Sequence, residues 1–140
     1  MRINNATTMH ASKMLLVLAY RRSIVSSFEL SKILDISQRY LLYIAARLRD
    51  AGFISVTHGS SGGYKLLLDP KNINFYDIII IFQKDKTFVN LIDPEIEECH
   101  IIRGLTEGLC NLEREFELQL KNTNLQQFLQ RKSNNSIVHV

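Results

Sequence analysis

Cysteine is scarce in this chain, and long apolar runs are missing. The two cysteines among 140 residues are too few for the disulfide framework of a small secreted domain. The apolar runs, including residues 14–20 and 78–82, are all far shorter than the roughly 20 residues that cross a bilayer. No basic start precedes an apolar stretch with a small-residue cleavage site. These absences predict a cytoplasmic protein.

Signatures of catalysis are missing as well. The glycine-rich residues 59–63 lack the lysine and serine or threonine that end a P-loop, and they join two predicted strands instead of a strand and a helix. No carboxylate pair and no Ser, His and Asp set has a supporting spacing. The acidic Glu97, Glu98 and Glu107 fit the solvent side of a helix. The chain is also small for an enzyme with its own cleft, so the sequence predicts a single-domain binding protein.

Residues 26–51 predict two helices separated by a tight turn. Ser26 can cap the first helix, and Glu29 can complete a capping box. Its apolar face would be formed by Leu30, Ile33 and Leu34. Residues 35–37 favour a turn, and Ser37 can cap the second helix.

The second helix has two different faces. Its apolar stripe has a period of 3.6 residues and comprises Tyr40, Leu41, Ile44, Leu48 and Ala51. The side chains that would project elsewhere are those of Arg39, Leu42, Tyr43, Ala46 and Arg47. One face is therefore predicted to pack, and the other can read a DNA groove.

A β-hairpin is predicted to follow. Gly52 can end the second helix. Residues 53–57 and 64–68 have the character of strands, and the glycine and serine residues between them suit a hairpin tip. Helix, turn, helix and hairpin in this order are typical of a winged DNA-reading unit. The predicted fold class is mainly α with a small β-hairpin wing.

Three segments carry a family resemblance: residues 36–41 (ISQRYL), 48–54 (LRDAGFI) and 59–66 (GSSGGYKL). They resemble the Rrf2 family of bacterial winged helix-turn-helix transcription regulators, which includes the IscR, NsrR and CymR types. The resemblance begins at residues 1–3 and 14–19 and extends through residues 73–78. It implies a homodimeric DNA-binding regulator, with repression as its expected mode of action.

The resemblance also implies which residues contact DNA. The expected set is Ser37, Gln38, Arg39, Tyr40, Leu42, Tyr43, Arg47, His58, Ser60, Ser61, Gly62 and Lys65. Leu42 and Tyr43 depart from the polar residues found in the IscR type, and an exposed leucine suits a thymine methyl group. Packing of either side chain under the preceding helix or the partner subunit stays open. His58 stands where the family often has an arginine in the minor groove, and a neutral histidine would bind there more weakly.

Charge divides the chain into two halves. Residues 1–70 hold nine Lys or Arg and four Asp or Glu, and residues 71–140 hold eight and ten, so their net charges are +5 and −2. Lysine and arginine supply the sequence-independent attraction to DNA phosphates. The first half is therefore the expected DNA-binding half, although a solvated basic face without a partner is the alternative.

The second half predicts a helix that needs a partner. Asn74 can cap a short helix that closes over the wing. Residues 84–94 form a connector, and residues 95–122 carry an apolar pattern of Ile102, Leu105, Leu109, Leu112, Phe116 and Leu120. Packing against a second copy is the favoured interpretation, and folding back onto its own domain is the alternative. The predicted organisation is a winged helix-turn-helix domain in residues 1–83, the connector, dimerisation helix and short final helix in residues 84–132, and a flexible tail in residues 133–140.

The signal is not defined by the sequence. Several family members hold an iron–sulfur cluster on three cysteines, but here only Cys99 and Cys110 exist, roughly 16 Å apart on a continuous helix. We therefore expect no such cluster and no cofactor. A small molecule, a partner protein or thiol chemistry remain as signals. The alternatives are a metal-binding or redox sensor using Cys99, His100 and a carboxylate such as Glu95, and a protein-interaction module with degenerate DNA readout.

Overall fold

The computed structural model describes residues 5–83 and 100–131, with side chains from 6–83 and 100–130. In chain order the elements are α1 (Asn5–Arg21), α2 (Ser27–Leu34), α3 (Gln38–Asp50), β1 (Ile54–Thr57), β2 (Gly63–Leu66), a 3₁₀ turn (Pro70–Asn72), α4 (Phe75–Phe82), α5 (His100–Lys121) and α6 (Leu125–Arg131). A mainly helical protein with a two-stranded wing and a long C-terminal helix confirms the predicted fold class. None of the helices in the described ranges has both the length and the apolarity needed to span a bilayer.

Side-chain caps fix the helix-turn-helix locally. Ser26 Oγ accepts from the Glu29 backbone N–H at 3.2 Å, and Ser37 Oγ accepts from that of Tyr40 at 3.1 Å. The Glu29 carboxylate accepts a 2.8 Å hydrogen bond from Arg21 Nη2 and so ties α2 to α1. The backbone of Asp35 adopts the left-handed conformation, with φ 53°, and this turns the chain between α2 and α3.

Two predictions about helix faces were wrong. Ile33 is exposed, and α2 buries Leu30, Ser31 and Leu34. Residues 31 and 33 lie at equal angles on either side of the face shared by residues 30 and 34, and the core lies on the side of residue 31. Ser31 is accommodated because its hydroxyl donates to the Phe28 carbonyl at 2.8 Å. Ala51 is exposed, since α3 ends at Asp50.

The wing is tied to the loop before α2. The β1 and β2 strands are antiparallel, with Ile54 opposite Leu66 and Thr57 opposite Gly63. Val25 and Tyr64 exchange two backbone hydrogen bonds of 2.9 Å each. Gly63, with φ +155°, packs so closely against the Val25 carbonyl that a Cβ atom would collide with it. Strand β1 begins one residue later than predicted, at Ile54, and β2 runs from Gly63 to Leu66, so Leu67 and Leu68 lie beyond it and are exposed.

One apolar core joins the N-terminal and C-terminal parts of the described chain. Its fully buried side chains include Met14, Leu15, Leu18, Leu30, Leu41, Ile44, Leu48, Ile54, Ile73, Ile78 and Leu125. Leu125 belongs to α6, and its N–H donates to the Ile73 carbonyl at 2.9 Å. We call α1–α4, the wing and α6 the head, because they share this core. The division at residue 83 remains a prediction, but the packing groups α6 with the winged domain.

The long helix α5 is held at its C-terminal end. Lys121 Nζ lies 4.6 Å from the Tyr76 ring centroid on α4 and 3.1 Å from Glu117 Oε1. The hydrogen bond from Lys121 lowers the pKa of Glu117, and the same bond raises the pKa of Lys121. Phe75 N–H donates to the Thr123 carbonyl at 3.0 Å. No residue of α5 is buried in this chain. The predicted connector, the predicted start of this helix at residues 95–99 and the tail lie outside the described residues.

Candidate nucleic-acid interface

A concave groove runs between the start of α2, the outer face of α3 and the wing. It brings together four residues predicted to contact DNA, Leu42 of α3 and His58, Ser60 and Gly62 of the wing. The groove depends on the pairing of Val25 with Tyr64, since this pairing holds the wing beside α2. Burial raises the pKa of the Tyr64 phenol, and the nearby charge of Arg49 opposes this. A neutral tyrosine therefore anchors the wing.

The outer face of α3 carries a second group of predicted residues. The Tyr40 and Tyr43 rings are stacked with centroids 6.4 Å apart, and Arg47 Cζ lies 5.8 Å from the Tyr43 centroid. The Tyr40 hydroxyl donates to Thr7 Oγ1 at 3.0 Å, and His10 Nδ1 lies 3.5 Å from the same hydroxyl. Tyr40 is thus half-buried and held by α1, whereas Tyr43 and Arg47 face solvent.

The exposure of Leu42 and Tyr43 bears on an alternative left open by the sequence. Leu42 is 54% exposed and Tyr43 is 51% exposed, so neither packs under α2 in this chain. Gln38 and Arg39 are also exposed, at the start of α3, where free backbone N–H groups attract anions. Ser37 is exposed too, but its Oγ already accepts the capping hydrogen bond.

Lys65 is separated from the other wing residues. It does not line the groove, and it lies instead in a cleft on the α1 side of the wing with Arg22 and Lys71. Successive residues of a strand point to opposite faces, so Lys65 and the groove residue Tyr64 are directed apart. Ser61 is exposed at the tip. The DNA-binding role of each remains a prediction.

The groove also contains residues that sequence reasoning missed. Phe28 is 56% exposed there, with Lys32 Nζ 4.4 Å from its ring centroid. Arg49 lies in the same groove, with Nη2 at 3.2 Å from Asp50 Oδ1. A signal for Arg49 existed, because it follows Leu42 by seven residues and two helical turns bring it to the same face. Phe28 had no comparable signal.

Comparison with known proteins assigns residues 4–131 of the chain to a family. The family model described as "Rrf2: Iron-dependent Transcriptional regulator" matches residues 4–131. A curated relative, the putative HTH-type transcriptional regulator YffB of Lactococcus lactis subsp. lactis (strain IL1403), is 32% identical over 93 residues. The alignment covers 59% of this chain and 60% of that relative.

Two solved structures share the fold. CymR, the global cysteine regulator of B. subtilis, superposes with a TM-score of 0.75 at 22% identity, over 88% of this chain and 92% of that chain. The IscR of T. potens superposes with a TM-score of 0.71 at 20% identity, over 96% of this chain and 91% of that chain. At these identities the likeness establishes the fold.

The family description names iron, but the side chains here do not fit a three-cysteine cluster. The sequence has two cysteines. Across the described ranges, no three His, Cys, Asp or Glu side chains are grouped so that they could hold a metal ion. Cys110 is half-buried on α5, His100 is exposed at its start, and Cys99 falls outside the described residues. No step of the function is therefore assigned to iron.

The arrangement of α2, α3 and the wing agrees with the family match. Recognition helix and wing flank one groove, and the side chains that line it include exposed basic, hydroxyl and apolar groups suited to phosphates and base edges. The match spans all of the described residues. The chain belongs to the Rrf2 family of winged helix-turn-helix transcriptional regulators.

Proposed function

We propose that the chain is a sequence-specific, homodimeric repressor that works in the cytoplasm on a partly palindromic operator. The observation that carries the proposal is the shared groove, in which Leu42 of α3 faces the same space as His58 and Ser60 of the wing. An α-helix fits the major groove of DNA, and a wing beside it reaches the adjacent minor groove. Each head would therefore read one half-site.

Specific roles follow from position. Gln38 and Arg39 at the exposed start of α3 suit hydrogen bonds to base edges and phosphates, and Leu42 suits the methyl group of thymine. Arg47, exposed beside Tyr43, suits a phosphate. His58 would enter the minor groove. Arg49 and Phe28 join the set, because both line the same groove.

The dimer is supported by the apolar surface of α5. Leu105 is 63% exposed and Leu112 is 58% exposed, and the two share one side of the helix, together with Ile102 nearby. Leu109, Phe116 and Leu120 are half-buried and flank this side. The helix has 22 residues, buries none of them in its own chain and contains Gly104 and Gly108. Such a helix has little stability of its own. A second copy of α5 is the occupant we propose, and it would place two heads for half-sites about 34 Å apart.

The proposed signal does not involve the family's cluster. A small molecule, a partner protein or thiol chemistry would act through α5, because this helix connects the head to the proposed dimer contact. Shifts of a few ångströms between two heads change their fit to fixed half-sites.

The test is selection of a binding site from random-sequence DNA by the purified full chain. The selected duplex and a shuffled version should then differ in affinity by roughly a thousandfold or more at about 150 mM salt, measured by fluorescence anisotropy. Arg39→Ala should remove most of this difference, whereas the matched control Arg114→Ala on α5 should preserve it. Equal affinity for selected and shuffled duplexes would contradict the proposal and favour an interaction module.

A further inference from the structure

A second cavity lies on the side of the wing that faces away from the groove. This cleft, of about 440 Å³, is bounded by the end of α1, strand β2, the 3₁₀ turn and α6. Its apolar wall includes Leu18, Leu66 and Leu129. Cavities of roughly 300 to 1,000 Å³ that combine apolar walls with a few polar groups are typical of small-molecule sites. No residue lines both this cleft and the groove, although strand β2 contributes residues to each.

The polar lining of the cleft is positively charged. Arg22, Lys65 and Lys71 line it, and within the described parts of the chain none of their charged groups has a hydrogen-bond or ion-pair partner. The one carboxylate in the lining, Asp69, already accepts the Lys71 backbone N–H at 2.9 Å. The lining thus has a net charge of +2 beside an apolar wall, which matches an anionic group attached to an apolar body.

We propose that this cleft binds a small organic anion, a carboxylate or phosphate monoester with an apolar body, and that its binding weakens the hold on DNA. The regulatory part rests on the proposed function, and the binding part does not. An anion held by Lys65 would neutralise a cation of the wing and so weaken the attraction of the wing to DNA phosphates. The cleft also touches α6, which follows α5 directly, so the ligand contacts the wing and the segment next to the dimer helix at once.

Binding is tested without DNA, by isothermal titration calorimetry of the full chain at fixed ionic strength. The probes are hexanoate, benzoate and phenyl phosphate, with hexanamide and benzamide as neutral controls of matched shape. At least one anion should bind about tenfold or more tightly than the amides, because the cations favour the charge. The carboxylates and the phosphate ester separate the two chemical sources of the anion.

Charge-removing variants locate the site. Arg22→Gln and Lys71→Gln should each weaken the best anion about fivefold or more, whereas Lys13→Gln, which removes an equal charge from exposed α1 surface outside the cleft, should change it less than about twofold. Equal binding of anions and amides, or equal effects of all three substitutions, would overturn the proposal.

Regulation is tested by titrating the selected duplex with and without the best anion at saturation. Operator affinity should fall about fivefold or more for the wild type and for Lys13→Gln, and less than about twofold for Lys71→Gln. Anion binding without an effect on operator affinity would contradict the regulatory part. Anion binding by a chain that shows no specific DNA binding would support the cleft and contradict the proposed function.

Discussion

At the scale of single residues, Gly63 has the most demanding position in the wing. Its φ of +155° and its contact with the Val25 carbonyl leave no room for a side chain. Gly63→Ala should lower the free energy of unfolding by about 3 kcal/mol, because the Val25–Tyr64 ladder must open to admit the methyl group. Urea unfolding followed by circular dichroism measures the change.

Gly59 provides the matched control for this prediction. It also has a positive φ, of +104°, but open space surrounds the place where its Cβ would be. Gly59→Ala should therefore lower stability by only about 1 to 2 kcal/mol of backbone strain. Equal losses of unfolding free energy for the two variants would show that the close approach of Gly63 to Val25 does not affect stability.

His58 is the residue where this chain departs from the arginine common in the family. His58→Arg should tighten operator binding by roughly fivefold, about 1 kcal/mol, because a fixed positive charge is attracted into a narrow minor groove. Anisotropy titrations of both proteins with the selected duplex measure the difference, and unchanged affinity would argue against a minor-groove position.

At the scale of elements, α6 completes the core of the head although it lies far along the chain. Leu125→Ala should lower the free energy of unfolding by about 3 kcal/mol, because a fully buried leucine leaves a cavity. Leu118→Ala on α5 is the control, since Leu118 is exposed and its loss should change stability by less than about 0.5 kcal/mol. A small effect at Leu125 would mean that α6 detaches readily from the head.

Charged side chains on the exposed apolar side of α5 should prevent dimer formation. Glutamate at both Leu105 and Leu112 should convert the proposed dimer into a monomer, because carboxylates would be buried at the contact without partners. Sedimentation velocity measures the mass in solution. Leu118→Glu, on the opposite side of the same helix, should leave the dimer intact, and dissociation caused by this control alone would place the contact on the other face.

Elements specified by neighbouring residues were predictable, and those specified by distant contacts were not. Ser26, Ser37 and Asn74 each cap a helix as the sequence indicated, because a cap needs only residues within one turn. Phe28 and Lys65 were placed by the Val25–Tyr64 pairing, which turns one side of the wing toward α2 and the other toward α1. No local sequence pattern indicates this pairing, so the place of Phe28 in the groove and the existence of the cleft could be seen only in the structure.

At the scale of the whole molecule, the proposed two-fold symmetry should double the effect of every phosphate contact on the salt dependence of DNA binding. Arg47→Gln removes one proposed phosphate contact per head and hence two per dimer. The slope of log affinity against log salt concentration should therefore become shallower by about 1.8, with similar losses on selected and shuffled DNA. Anisotropy titrations over a salt series measure the slope.

A change of about 0.9 in that slope would indicate one contact per complex and a monomeric reader. Lys13→Gln is again the matched control, because Lys13 lies outside both the groove and the cleft, and its slope should equal that of the wild type. A shallower slope for this control would show that α1 also meets the DNA backbone.

The packing of α6 against α1 and the 3₁₀ turn, with Leu125 fully buried, has a consequence for the order of events during synthesis. The core of the head cannot close until α6 has left the ribosome, and α5 is always made before α6. A nascent chain therefore never presents a finished head without the helix that would pair it with a second copy. Under the proposed function, chain order alone would keep half-made regulators from competing with finished dimers for the operator.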